Sequence, residues 1–317
     1  MLEHGSNNFQ SEEPLVSVKD LVTRFDIRAG VFRHVSERVH AVENVSLDIA
    51  KGETLGLVGE SGCGKSTLGR SIIQLDKPIS GSVKFEGVET LGLSYDAMRP
   101  FRKQMQMIFQ DPFGSLNPRM PVGKIIAEPM VINGVAKGKD LRARVLELLE
   151  RVELGQEHLA RYPHAFSGGQ RQRICIARAL GLNPKLIIAD ESVAALDVTI
   201  QAQVINLMMD LQAEFGISFL FISHDMAVVE RIAHRVAVMY IGEIVEIGDR
   251  RSIFEDPQHS YTRKLLGSVP IADPRKRPEN RQLMIDEIPS VIRPVGFEPI
   301  QLPMRKISEN HFVREER

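Results

Sequence analysis

Short apolar runs bounded by glycine organise this chain. Val16 to Leu21, Val42 to Ile49 and Ser82 to Glu86 are β-rich and lie near Gly52, Gly81 and Gly87, which predicts an antiparallel β subdomain. Between them Thr54 to Val58 reads as a buried strand, and Lys65 to Leu75 as a helix carrying Leu68, Ile72 and Ile73 on one face. The order is strand, glycine loop, helix.

From Val122 to Leu180 the apolar spacing turns helical, with Leu141, Val145, Leu148 and Leu149 in register and polar breaks around Gly134 and Gly155. A helical subdomain over about residues 111 to 180 follows from this. Leu186 to Ala189 is then a short apolar strand, Ile200 to Phe215 a helix with Val204, Leu207 and Leu211 inward, and Ile217 to Ser223 a second strand. Such alternation signals a parallel sheet covered by helices. The fold class read from the pattern is therefore α/β, with a mostly parallel core sheet, an antiparallel β subdomain and a helical subdomain. Pro270, Pro274, Pro278, Pro289, Pro294, Pro299 and Pro303 interrupt any long element near the end, so residues 269 to 317 read as an irregular extension of a domain spanning 16 to 268. Residues 1 to 15 read as a frayed tail.

Composition narrows the classes. Apolar residues make up 43% and charged residues 26% of 317, the balance of a globular protein. Forty basic against forty-one acidic residues give a formal charge of -1, so no overall basic field gathers nucleic acid. The longest apolar stretches, such as Phe219 to Ile222, have strand length, and the N-terminus shows no basic segment followed by an apolar core. Neither a membrane span nor a secretory signal is expected. Cys63 and Cys175 are too few for a disulfide framework or a four-cysteine metal site, which makes a reducing cytoplasm the expected compartment.

Gly59-Glu60-Ser61-Gly62-Cys63-Gly64-Lys65-Ser66-Thr67 satisfies GxxxxGK[ST] where a strand meets a helix, the context that defines a P-loop. Its glycines let successive N–H groups face phosphate oxygens, and the helix that follows adds a partial positive charge. Lys65 is placed to reach the β- and γ-phosphates, and Ser66 to ligate Mg²⁺. Cys63 reads as a passive loop residue, with a helix N-terminus able to lower its pKa.

Leu186 to Asp190, followed by Glu191, is an apolar strand ending in two carboxylates. This is the arrangement that delivers Asp190 to a metal and lets Glu191 act on water. Phe166-Ser167-Gly168-Gly169-Gln170 precedes a helical pattern through Ile174, Ala177 and Leu180, with Ser167 as a candidate N-cap. A serine and two glycines at a helix start make a second phosphate site, one that a second copy could present more readily than the same chain.

With these residues in this order, residues 16 to 268 resemble the ABC transporter ATPases, Phe166 standing in the leucine place of the LSGGQ signature. The resemblance implies bound ATP and Mg²⁺. It also implies Gln110 as the glutamine that meets Mg²⁺ and the attacking water, His224 as the switch histidine at the γ-phosphate, Glu191 as general base and Ala195-Leu196-Asp197 as the D-loop. An aromatic ring well before the P-loop would stack on adenine, for which Phe25 is the candidate and Phe32 a poorer one.

Finer resemblances point to oligopeptide and dipeptide importers. They lie in Gly56 to Gly64, in Gln110 to Met120, and in His259-Ser260-Tyr261-Thr262-Arg263-Lys264-Leu265-Leu266. They imply permease docking over Phe113 to Met120, with Phe113 and Leu116 as its apolar contacts, and a peripheral place on the cytoplasmic face of the inner or plasma membrane. The implied partners are a second ABC ATPase subunit, integral membrane permease subunits and an extracytoplasmic solute-binding protein, with no nucleic acid. Nickel, glutathione or opine-like solutes are neighbouring cargoes, and a soluble ABC ATPase acting on ribosomes or DNA is the rival class. Two departures stand out. Residues 269 to 317 lack the cysteine-rich segment of some relatives, and Ser192, Val193 and Ala194 replace the commoner proline, threonine and serine.

Overall fold

A computed structural model describes residues 13–29, 34–268 and 290–316. In chain order the strands and helices are β1 (Val16–Ala29), β2 (His34–Ile49), β3 (Thr54–Val58), α1 (Lys65–Ile72), β4 (Ser80–Phe85) and β5 (Val88–Glu89). There follow α2 (Tyr95–Gln104), β6 (Met105–Ile108), α3 (Pro112–Ser115), α4 (Val122–Ile132), α5 (Gly138–Arg151), α6 (Gly168–Leu180), β7 (Leu186–Asp190), α7 (Val198–Phe215) and β8 (Ser218–Ser223). The chain continues through α8 (Met226–Ile232), β9 (Arg235–Tyr240), β10 (Glu243–Asp249), α9 (Arg250–Glu255), α10 (Ser260–Gly267), β11 (Ile292–Pro294), β12 (Met304–Ser308) and β13 (His311–Arg314). Two compact units result. One is built mainly on Asp48–Gly56 and Val83–Ser223, the other on Val18–Leu47, Leu57–Ser82 and the described residues from His224 on.

The first unit centres on three parallel strands. β6 pairs with β7 from Met105↔Leu186 to Ile108↔Ala189, and β7 with β8 from Leu186↔Ser218 to Asp190↔Ile222. Every residue of β7 and β8 is buried, as expected of central parallel strands whose unbroken apolar runs are covered on both faces. Parallel pairing brings the residues that follow β6 and β7 to one edge, where α/β proteins place their ligands. α7 stops at Gly216, whose φ of 64° supplies the left-handed cap, and Gln212 near its end donates to Gly52 O at 3.0 Å and Thr54 Oγ1 at 2.8 Å. α6 is almost wholly buried among α4, α5 and α7, Arg171 and Arg173 included.

The second unit carries the glycine loop and two antiparallel assemblies. β9 and β10 form a hairpin closed by Ile241 and Gly242 at φ 47° and 84°, the double positive φ of a tight hairpin turn. β10 then carries β13 antiparallel, with Glu246↔Val313 and Ile247↔Phe312, and β13 carries β12. β11 lies antiparallel on β2 through Ile292↔Val39 and Pro294↔Glu37.

These strands correct the expectation of an irregular extension for its described part. Proline excludes long elements but leaves room for three short strands, with Pro294 at a sheet edge and Pro303 just before β12. Residues 269–289, most of the expected N-terminal tail, and Phe32 lie outside the described residues. Among the described residues no helix is long and apolar enough to cross a membrane.

Candidate active site

In the second unit the chain leaves β3 through Gly59, Gly62 and Gly64, at φ 150°, 81° and 108°. A β-carbon at Gly59 would overlap the Met239 carbonyl oxygen, and one at Gly64 that of Ala41, so both positions require glycine. Lys65 is buried, and its ammonium donates to Gly59 O at 2.7 Å and Glu60 O at 2.8 Å, inside the curl of the loop. Two outside contacts fix that curl: the Gly242 N–H donates to Cys63 O at 2.9 Å, and the Glu60 N–H to the Tyr261 hydroxyl at 2.9 Å. Ser61 and Gly62 lie exposed on the loop, with Ser66 and Thr67 half-buried in the first turn of α1.

Burial pushes the Cys63 thiol up and outweighs the opposing pull of Lys65, which corrects the idea that the helix N-terminus activates it. Phe25 stands on β1 with 40% of its surface exposed. Two residues earlier, Thr23 Oγ1 is 2.9 Å from Ser71 Oγ of α1, which ties this stretch of β1 to the helix of the loop. His224 is the exposed residue that directly follows β8.

The first unit brings two candidates together. Gln110 follows β6 and Glu191 follows β7, and the Gln110 amide donates to Glu191 Oε2 at 2.7 Å. Glu191 has φ 44°, and its N–H still donates to Ile222 O at 3.0 Å. The chain thus turns sharply out of the sheet and projects the carboxylate beyond the strand end, while Asp190 stays buried one residue before it.

Ser167 caps α6 reciprocally: its hydroxyl accepts from Gln170 N at 3.3 Å, and Gln170 Oε1 accepts from Ser167 N at 3.1 Å. Ser167 is exposed and Gly168 half-buried, so the start of the helix faces outward. Gly169 is buried, and a β-carbon there would run into Ile200 of α7. That glycine serves packing as well as any ligand.

The docking candidate is held by contacts at both its cap and its flank. Asp111 caps α3 by accepting from Phe113 N at 2.8 Å and Gly114 N at 3.0 Å. Three positions of α6, spaced to share one face, grip this turn. Arg171 lies 3.8 Å from the centroid of the Phe113 ring, Cys175 Sγ 3.6 Å from Ser115 Oγ, and Arg178 donates to Ser115 O at 2.5 Å. Phe113 keeps 63% of its surface exposed, whereas Leu116 has 1%. Leu116 is therefore a core residue, correcting its reading as an apolar docking contact; its side chain turns inward where the short helix ends. Sequence reasoning missed Arg171, whose burial against the Phe113 ring has no local signal in the chain. It also missed the Tyr261 contact with the loop, for which the single aromatic residue of the tail motif was the only signal.

The chain matches the ABC transporter family model over residues 42–194 and the model for the C-terminal region of oligopeptide/dipeptide transporters over residues 245–294. It is 58% identical over 301 residues to the glutathione import ATP-binding protein GsiA of Pectobacterium atrosepticum, covering 95% of this chain and 48% of that protein. With GsiA of Escherichia coli the identity is 56%, over the same shares. The chain thus spans about half the length of the curated relatives it matches.

Among solved structures, an ATP-binding cassette captured as a post-hydrolysis dimer with ADP and Pi is similar at TM-score 0.65 and 31% identity, over 74% of this chain and 99% of that one. cbiO1 of Clostridium perfringens, part of the ABC transporter complex cbiONQ, is similar at 0.67 and 26%, over 77% and 92%. This chain belongs to the ABC transporter ATP-binding family and carries a C-terminal region of the oligopeptide/dipeptide transporter type.

Proposed function

We propose that this chain binds MgATP and hydrolyses it to power solute import through a membrane permease. The observation that carries the reading is the glycine loop, whose curl excludes any β-carbon at Gly59 and Gly64 and holds the Lys65 ammonium within it. Such a loop fits a polyphosphate, because backbone N–H groups and one buried cation neutralise charge without needing water to reorganise. Phosphates would lie against Gly59 to Thr67. Magnesium would be met by Ser66, Asp190 and Gln110, and would neutralise charge as the γ-phosphoryl group leaves. Among the described residues no group of three or more His, Cys, Asp or Glu could hold a metal, so the ion would depend on phosphate oxygens for much of its coordination.

Glu191 would orient and deprotonate water with Gln110 beside it, His224 would meet the γ-phosphate, and Phe25 would stack on the adenine. Ser167, Gly168, Gly169 and Gln170 would close on the nucleotide of a second ATPase subunit. That head-to-tail pairing is supported by the dimeric state of the similar cassette and by the outward-facing start of α6. Phe113 would meet the permease on the cytoplasmic side, and a solute-binding protein would deliver cargo from the other.

For cargo, the C-terminal family match supports short peptides, and the names of the curated relatives support glutathione, itself a tripeptide. The reading is tested by equilibrium binding of MgATP to the purified chain and to Lys65→Ala. Binding that the variant loses by at least about tenfold is expected, since one charge-assisted contact to phosphate carries about that much. Equal affinities would contradict the assignment of the loop.

A further inference from the structure

We propose that Tyr261 is a positioning residue for the glycine loop, so that the oligopeptide-transporter tail shapes the nucleotide site. The proposal rests on the reading of that loop given above. Tyr261 is buried at the second position of α10, and its hydroxyl accepts the Glu60 N–H at 2.9 Å, bridging residues 201 positions apart. The carbonyl of the same Glu60 holds Lys65 Nζ at 2.8 Å. A shift of residue 60 therefore moves the acceptor that aims the lysine. The Tyr261 ring is braced against Tyr240, centroid to centroid 4.2 Å, at the end of β9. Just beyond it, Gly242 holds Cys63 O, so the two tyrosines and the hairpin turn grip the loop at two points. Burial pushes the Tyr261 phenol up, which keeps its oxygen a neutral hydroxyl across the physiological range.

Tyr261 is itself held from the far end of the chain. Its backbone N–H donates to His259 Nδ1 at 3.1 Å, the cap of α10. Glu246, fully buried in β10, accepts from Gln258 N at 2.8 Å, His259 N at 3.0 Å and His311 Nε2 at 2.7 Å. One carboxylate thus joins β10, the start of α10 and the C-terminal strand β13. Such a buried carboxylate is stable only with all its donors present, which makes the arrangement of α10 depend on β13. The path from β13 to Lys65 is a continuous series of hydrogen bonds and covalent links within one unit.

The test is Tyr261→Phe, which keeps the ring against Tyr240 and removes only the oxygen that accepts from Glu60. Three quantities are measured on the full chain: MgATP affinity, hydrogen exchange of the Glu60 amide, and melting temperature, with Lys65→Ala alongside. Expected are faster exchange at Glu60, affinity weakened about threefold to tenfold as for one hydrogen bond, and a melting temperature close to wild type. Turnover should show the loss in KM for ATP, with kcat nearly retained. Wild-type affinity in Tyr261→Phe, with Lys65→Ala impaired, would overturn the role of Tyr261 and leave the loop assignment standing. Wild-type affinity in Lys65→Ala would take down both.

Discussion

The Gln110 amide donates to the carboxylate of Glu191 at 2.7 Å, across the ends of two adjacent parallel strands. The contact orients a carboxylate that a strained backbone projects beyond the sheet. A water-activating carboxylate depends on such orientation to meet its water in a productive geometry. Gln110→Ala should lower turnover about tenfold to a hundredfold while sparing MgATP affinity to within about threefold, the weight of a lost positioning contact. Steady-state phosphate release and equilibrium binding check this. An equal loss in both would show that Gln110 mainly binds nucleotide.

Docking through α3 makes a second, separable claim. Phe113→Ala removes an exposed ring and should reduce recovery of the chain with membranes that contain its permease, while soluble ATPase activity persists. Leu116→Ala should behave differently: it empties a core position and costs about 2–5 kcal/mol of stability, seen as a lower melting temperature. Membrane recovery of Phe113→Ala equal to wild type would remove α3 from the interface.

The signature segment can be tested in trans. Gly168→Asp is preferred over a change at Gly169, which would also strike Ile200. At Gly168 the new β-carbon comes 3.3 Å from the mobile end of Leu196, and an acidic residue in the first turn favours the helix. A carboxylate there would repel a partner's γ-phosphate, so ATP binding by the monomer should persist and ATP-driven pairing fail. Mixing Gly168→Asp with Lys65→Ala should restore partial turnover, because both lesions fall in one composite site and leave the other intact. Mixed dimers without any recovery of activity would argue against action in trans.

Acid should loosen the tail. Burial lowers the His259 pKa, with Glu316 and Glu246 pulling it up and Arg314 and Arg263 pushing it down. Its Nδ1 can cap Tyr261 N–H only while unprotonated. The folded pKa lies below the unfolded value of about 6.5, so on acidification the unfolded chain takes up the proton first. This contribution is complete above about pH 6.5 and is lost as the pH falls from there through the folded pKa. The melting temperature should therefore drop between about pH 7 and the onset of carboxylate titration, and His259→Asn, which retains a capping side chain, should flatten the drop. An unchanged pH profile in that variant would exclude His259 as its source.

Sequence spacing made the loop and the Asp190-Glu191 strand end legible because both depend on local backbone: glycines at positive φ, and an apolar strand that must stop where carboxylates begin. The capping role of Ser167 was visible for the same reason. What stayed hidden depends on distant neighbours. Tyr261 meets Glu60 across 201 positions, Arg171 is buried by an aromatic ring from another segment, and β12 and β13 exist only because β10 offers an edge to pair with. The β9–β10 hairpin was missed because Ile241, a poor residue for positive φ, stands where a turn would ordinarily show asparagine or glycine.

The central claim, that this chain hydrolyses ATP with Glu191 activating water, is tested most directly by phosphate release from Glu191→Gln beside the wild type, with MgATP binding measured on both. The substitution keeps size and hydrogen-bonding capacity and removes the base. The account predicts retained binding, turnover lowered about 10²- to 10⁴-fold, and ATP left intact in a trapped dimer. Wild-type turnover in that variant would contradict it and assign the base elsewhere.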